Sequence, residues 1–456
     1  MTDPSNQNTT IVGGGLVGAL WAVYLGQRGH KVTVFDRRSD MRGKEIPGGR
    51  SINLALSDRG LKALAGVGIA EEIQEELCIP MHGRMMHDTA GNLTFQPYGK
   101  KGQYINSVSR SGLNVRLLDL ADEHENVSLR FDQKCLKFDL KSKELLFHDL
   151  KSGENYTTKP DLIFGADGAY SRVRYSLQKR PRFDYSQDYL PHGYKELTIP
   201  PGPNGDWQID KEALHIWPRG DFMIIALPNL DGSFTVTLFL AFDGPENSFE
   251  ALSTPEKVDA FFETHFADAR ALMPDLTEEF FRNPTSGLMT ISCYPWAADN
   301  ALLLGDAAHA IVPFYGQGMN SGFEDCTLLA EILDANPGTN WEDLFRQFER
   351  ERKDDADAIA ALAKRNFLEM RDHVADPRFL LRKQIAAEVS KGHPEQFLPV
   401  YSMVTFSHLP YAQGLSELHR QDQVFEEILG WDNIEQEWNG SYRDKIEEIL
   451  LNTQEA

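Results

Sequence analysis

Between residues 9 and 36 the chain alternates in character: TTIV, then GGG, then ALWAVYLGQRG, then KVTVFD. The outer pieces are β-rich, and the middle piece has helical spacing and stops at glycine. The pattern predicts a βαβ unit. Residues 51–77 read as mostly helical, and 80–106 mix glycine, aromatics and short β-prone pieces. Residues 111–124 read as a helix, and 127–165 as strand-rich, closing on DLIFGADG. From about 180 to 290 the texture changes to strands broken by Pro-Arg-Gly and Asn-Leu-Asp-Gly turns. That stretch predicts an antiparallel sheet inserted between two parts of the first domain. ALLLGDAAH, 301–309, returns to a strand-to-helix corner, and from 341 onward the chain reads as helical with an irregular break at 391–411.

The expected fold is therefore α/β. A Rossmann-like nucleotide-binding domain takes residues 1–79, 104–180 and 291–340. A mostly antiparallel β-sheet domain takes 80–103 and 181–290, and a C-terminal helical region takes 341–456.

Charge narrows the partners. The chain carries 46 Lys+Arg against 68 Asp+Glu, a net −22, which argues against nucleic acid or an anionic membrane surface. Any phosphate ligand must then be held by local devices. Cys78, Cys135, Cys293 and Cys326 are far apart and make no C-x-x-C pair, so neither a disulfide framework nor a metal site is expected. Free thiols suit a reducing compartment, and no signal peptide, membrane anchor or long apolar run is evident. A cytoplasmic protein is expected.

Gly13-Gly14-Gly15-Leu16-Val17-Gly18 satisfies G-x-G-x-x-G. It follows a strand, opens a helix, and has Asp36 at the end of the next strand, as a dinucleotide site requires. Gly13 allows the tight turn, Gly15 lets backbone approach a pyrophosphate, and Gly18 lets helix and strand pack closely. Asp36 suits a ribose diol. A second corner is Gly165-Ala166-Asp167-Gly168, and a third is Gly305-Asp306-Ala307-Ala308-His309 followed by Gly316-Gln317-Gly318-Met319-Asn320. Asp306 ends an apolar strand, where a carboxylate needs partners; the hydroxyls of a sugar-alcohol chain would supply them.

The three corners in this order resemble the aromatic-hydroxylase branch of flavoproteins, the family of para-hydroxybenzoate hydroxylase. The resemblance implies FAD in the single Rossmann-like domain. It implies Arg110, in SVSRSGLN, at the flavin nucleotide, and the Asp167 stretch between FAD and NADPH. It also implies that the backbone at Gly318, Met319 and Asn320 faces the flavin. A basic stretch, Arg37, Arg38, Arg42, Lys44 and Arg50, suits phosphates or a solvated loop equally.

More local stretches narrow the branch: GRSINLALSDRG (49–60), PHGYKEL (191–197), HIWPRGDFMIIALPNLDGSFTVTLFL (215–240), VPFYGQGMN (312–320) and PVYSMVTFSHLPYA (399–412). Together they resemble the kynurenine 3-monooxygenase family over about residues 9–415. That likeness implies NADPH-driven hydroxylation of L-kynurenine by molecular oxygen, through a flavin hydroperoxide. It implies Arg84 on the substrate carboxylate, and Tyr98, Asn366 and Tyr401 as polar contacts. Phe239, Phe314 and Met370 become apolar walls. Tyr315 departs from the family pattern, and its role is open. Read as residues alone, Arg84 suits a carboxylate or an ordinary structural position, and Tyr98 and Tyr401 suit plain core packing. On a helix over 352–371, Ile359, Leu362, Asn366 and Met370 share one face, and Asn366 interrupts the apolar stripe. It either faces a polar ligand or bonds neighbouring backbone.

Overall fold

The computed structural model describes residues 7–43, 53–100, 102–369, 377–394 and 396–452. Its first layer is a six-stranded sheet in the order Ala297–Ala298, Ala301–Leu303, Leu162–Gly165, Asn8–Val12, Lys31–Phe35 and Val127–Arg130. All neighbours are parallel except the first pair. The strand Asn8–Val12 sits in the middle and is buried on both faces from Thr9 to Val12, as a covered parallel strand is. The helix Leu16–Gln27 packs over it and buries Gly18 through Gly26 without a break. This helix has almost no polar side, so it reads as interior.

A seven-stranded sheet forms the second layer. Its order is Ser286–Tyr294, Asp184–Ile199, Phe234–Ala241, Met223–Pro228, Ala213–Pro218, Gly83–His87 and Leu93–Pro97. The strand Gly83–His87 joins parallel to Ala213–Pro218, and every other pair is antiparallel. The expected sheet over 180–290 differs in one respect. Residues 255–282 are not strands but three helices, Pro255–His265, Ala267–Arg270 and Leu276–Arg282. Val258, Phe261, Phe262, Phe266 and Phe280 cover one sheet face in a common core with Trp217, Ile224, Val236 and Leu238. An antiparallel sheet this apolar needs a cover on that face.

The opposite face receives the C-terminal region. The helix Trp341–Leu368 begins where the sequence turns helical and runs 28 residues from an Asn340 cap. It is followed by Pro377–Gly392, by a short helix Val400–Thr405 inside the expected break, and by Tyr411–Ile428. Among the described residues, no helix is long and apolar enough to cross a membrane.

Candidate functional site

Gly13 leaves its strand with φ +105°, and a Cβ there would overlap the Ala166 carbonyl. A Cβ on Gly18 would overlap the carbonyl of Gly13. Chain packing thus consumes both glycines. Gly15 is different: nothing lies within 4 Å of where its Cβ would be, so its open side is the one a ligand can approach. Asp36 is buried and accepts the Gly14 N–H at 2.8 Å, while the Asn114 amide donates to the Gly14 carbonyl at 3.1 Å. Both Asp36 oxygens also accept from Arg38, through its backbone N–H (2.7 Å), Nε (3.1 Å) and Nη2 (2.9 Å). A ribose diol at Asp36 must therefore compete with the half-exposed Arg38 side chain.

The second corner is tied to local structure. The Asp167 carboxylate accepts from the Ser171 hydroxyl and from the Arg172 backbone N–H, 2.5 and 2.6 Å, capping the turn that follows. Burial still pushes its carboxyl above the usual range. At the third corner Gly305 has φ +56° and ψ −140°, a backbone region open essentially to glycine alone. Its N–H donates to Asp325 at 2.8 Å, and Asp325 also pairs with His309 at 2.7 Å and Arg352 at 2.8 Å, all buried. This network fixes the turn that presents Asp306. The Asp306 carboxylate has no hydrogen-bond donor among the described residues. Burial pushes its carboxyl up, and the charge of Arg110 works against that shift. Gly316, with φ +68°, leads into the helix Gly318–Ala335. The Asn320 side chain is spent on the chain: it donates to the Ala55 and Gly316 carbonyls and accepts the Ser57 N–H. What Gly318, Met319 and Asn320 can offer a ligand is backbone N–H at a helix start.

Beside these corners lies a chamber of rings. Arg84, on the strand Gly83–His87, has its guanidinium 4.7 Å from the Tyr401 ring and 5.5 Å from the Tyr98 ring. Tyr98 and Tyr401 stack at 5.6 Å, and Tyr315 stacks on Tyr401 at 5.4 Å. Among the described residues, the Arg84 Nε and the Tyr98 hydroxyl are buried atoms without a hydrogen-bond partner. Two polar groups aimed inward and unsatisfied are costly unless something arrives to pair them. The next wall is apolar: Phe239 lies 5.0 Å from Phe314, and Phe314 lies 4.5 Å from Phe367. Asn366 donates to the Phe314 carbonyl at 2.6 Å and also lines a cavity of about 20 Å³ with Arg84, Gln96, Glu369 and Lys383.

A family model described as FAD binding domain matches residues 6–363. The chain is 51% identical to the kynurenine 3-monooxygenase of Myxococcus xanthus (strain DK1622), over 90% of this chain and 88% of that one. It is 45% identical to the kynurenine 3-monooxygenase of Dictyostelium discoideum, over 93% of each chain. The chain belongs to the kynurenine 3-monooxygenase family of FAD-binding enzymes. Among solved structures, tetrameric 2-methyl-3-hydroxypyridine-5-carboxylic acid oxygenase superposes with TM-score 0.65 at 20% identity, over 81% of this chain and 94% of that one. Pseudomonas aeruginosa PqsL in complex with 2-aminobenzoylacetate gives the same TM-score and identity, over 80% and 97%. These two likenesses carry the fold alone.

The residues of this kynurenine 3-monooxygenase family member fit FAD. Gly15 leaves open space at a helix start, and Asp306 is a partly buried carboxylate without a donor. The structure brings Arg84, Tyr98, Tyr401, Asn366, Phe239 and Phe314 around one chamber, and Gly13, Gly15, Gly18 and Asp36 into one corner. Met370, Lys44 and Arg50 lie outside the described residues. Arg42 pairs with Asp40 and Asp122 at 2.8 and 2.9 Å, so the basic stretch is partly neutralised by its own neighbours. Three participants escaped the sequence reading. Asn114 interrupts an apolar helix face formed with Leu113, Leu117 and Leu118, the same signal that singled out Asn366. Glu369 and Lys383 carry no local signal at all.

Proposed function

We propose that this family member hydroxylates L-kynurenine to 3-hydroxykynurenine, with NADPH as electron donor and molecular oxygen as the source of the inserted atom. The observation that carries the reading is the pairing of an enclosed guanidinium with an aromatic chamber next to the flavin corner. An amino acid with an aromatic side chain has this bipolar shape.

Bound FAD supplies the redox chemistry. The chain's own residues bind, orient and dry the site. Gly15 and the helix start behind it receive the pyrophosphate. Asp306 accepts from the sugar-alcohol hydroxyls, with Arg110 balancing its charge. Arg84 offers its planar fork to the substrate carboxylate, and the Tyr98 hydroxyl gains a partner in the same step. Phe239, Phe314 and Phe367 keep water from the ring position that reacts. His309 takes no proton-transfer role, because its Nε2 is committed to Asp325. The four buried free thiols suit a reducing cytoplasm.

The test is oxygen uptake with product analysis across L-kynurenine, anthranilate and hydroxybenzoates, each with NADPH. The reading expects one oxygen atom added to L-kynurenine and little turnover of the others. A hydroxybenzoate turned over faster than L-kynurenine would reverse the substrate assignment.

A further inference from the structure

His87 closes the strand Gly83–His87 that carries Arg84, and His215 lies on the neighbouring strand Ala213–Pro218. Alternation along the strand sends Arg84 to the ring chamber and His87 to the opposite face, under the helices of 255–282. There His87 Nδ1 lies 2.7 Å from a carboxylate oxygen of Asp268, on the helix Ala267–Arg270. Its Nε2 lies 2.8 Å from Nδ1 of His215, and His215 Nε2 lies 2.7 Å from the Asp210 carbonyl. Both rings are buried, and His87 stacks on Trp217 at 3.8 Å. None of these groups belongs to the flavin corner or lines the chamber.

A hydrogen bond holds one proton between its two atoms, and that fixes the proton count. The Asp268 carboxylate and the Asp210 carbonyl are acceptors, so His87 Nδ1 and His215 Nε2 both donate. Two neutral imidazoles would then set one bare lone pair against another across 2.8 Å. The contact needs one proton more than two neutral rings carry. The count is the same if that proton starts on the carboxyl. The surroundings place it on His87. Burial lowers the pKa of His215 to about 4. Burial works to raise the Asp268 carboxyl, yet the hydrogen bonds from His87 and from Trp217 Nε1, the latter 2.8 Å, hold it at about 2. Arg219 is committed to backbone, donating to the carbonyls of His87, Asp88, Pro218 and His265. The Asp88 and Asp210 carboxylates accept from backbone N–H groups of their own loops, and the His265 ring packs on Phe222 and Phe261.

We propose that His87 is a positioning residue for Arg84: the proton it shares with His215, set against Asp268, fixes the register of its strand and so the place of the guanidinium that takes the substrate carboxylate. The strand needs such a lock. It pairs parallel with Ala213–Pro218 on one side, Arg84 opposite Leu214, and has the five-residue edge strand Leu93–Pro97 on the other. Parallel pairing is the weaker kind per residue, and a slip of one residue would turn Arg84 out of the chamber. The His87–His215 contact straddles that pair of strands, and Asp268 ties it to the helical cover. Breaking the pair leaves a buried charge without its partner, which is costly. The role rests on the reading of Arg84 as the carboxylate contact.

Two experiments on the FAD-loaded protein test it. Nitrogen NMR of histidine-labelled protein at neutral pH should show a ring with both nitrogens protonated and N–H protons slow to exchange with water. That signal should be missing from His87→Asn and from His215→Phe. A wild-type spectrum in which no such signal depends on His87 overturns the proposal. In steady-state kinetics His87→Asn, which keeps a donor for Asp268 but cannot reach His215, should raise the KM for L-kynurenine about tenfold, the loss of part of a charge-assisted bond. FAD content and the KM for NADPH should stay within about twofold of wild type. His215→Phe, which cuts the contact from the neighbouring strand, should give the same rise. On an Arg84→Ala background His87→Asn should add less than about twofold, because its effect passes through the guanidinium. An unchanged KM in both His87→Asn and His215→Phe overturns the positioning role, as does a tenfold rise on both backgrounds. An Arg84→Ala KM equal to wild type would sink the substrate reading, and the positioning role with it, even where NMR finds the shared proton.

Discussion

The Arg84 guanidinium lies 4.7 Å from the Tyr401 ring centroid, and among the described residues no carboxylate forms an ion pair with it. Tyr401 comes from the short helix Val400–Thr405, more than 300 residues downstream, so the C-terminal region completes the site that the sheet begins. A half-buried cation held by ring faces, with its buried Nε unpaired among the described residues, is prepared for an incoming anion. Charge-assisted hydrogen bonds contribute about 1.5–3 kcal/mol. Arg84→Ala should therefore raise the KM for L-kynurenine by about 10- to 150-fold while FAD content stays unchanged. Steady-state kinetics and the flavin spectrum of the variant check both halves. An unchanged KM removes Arg84 from the site.

The glycine corner separates two roles that a motif alone blends. Gly18→Ala places a Cβ on the Gly13 carbonyl and should destabilise the fold by roughly 1–3 kcal/mol, as overpacking does. Gly15→Ala meets nothing in the chain. It should leave the unfolding midpoint of the flavin-free protein unchanged and still weaken FAD retention. Urea unfolding of both apoproteins, followed by FAD titration, distinguishes them.

Asp306 is a partly buried carboxylate with no donor among the described residues, and Arg110 provides its strongest favourable charge. Removing an acceptor of sugar hydroxyls costs about 1–3 kcal/mol of binding, so Asp306→Ala should release FAD about 5- to 150-fold more readily. Equal FAD content after gel filtration would count against the assignment.

Lys383 gives the site a pH response. It keeps solvent access, yet burial of its ammonium in the cavity wall, and then the Arg84 charge, lower its pKa to about 8. Such a group is charged below pH 8 and neutral above it. A carboxylate near Arg84 thus loses a second cation as pH rises through 8. The Kd of L-kynurenine should increase between about pH 7.5 and 9 in the wild type and stay flat over that window in Lys383→Met. Calorimetric titrations at stepped pH check the slope.

Local pattern carried much of the architecture. The βαβ opening, the helix beginning near 111 and the strand-to-helix corner at Asp306 all rest on short-range periodicity and glycine placement, and each is where those signals put it. The helices of 255–282 were hidden by the strands on either side. Even so, Thr254 caps the first through its side chain and Pro255 occupies the first turn, a start signal present in the sequence. The chamber was less legible. Arg84, Tyr98 and Tyr401 meet through a parallel strand crossover and a C-terminal helix, and no spacing rule encodes such a meeting. The Asp325–His309–Arg352 network was invisible for the same reason: its members are brought together by helix packing. Asn366 is the intermediate case, because a polar residue on an apolar helix face announces itself, although its first commitment is to the Phe314 carbonyl.

The central claim is that one flavin corner and one amino-acid chamber act as a single site. Anaerobic mixing of the purified protein with NADPH, with and without L-kynurenine, measures this most directly through the bleaching of flavin absorbance. The account predicts a bound flavin whose reduction accelerates when L-kynurenine is present. A colourless protein that takes up no FAD, or a flavin whose reduction ignores L-kynurenine at every concentration, would contradict it.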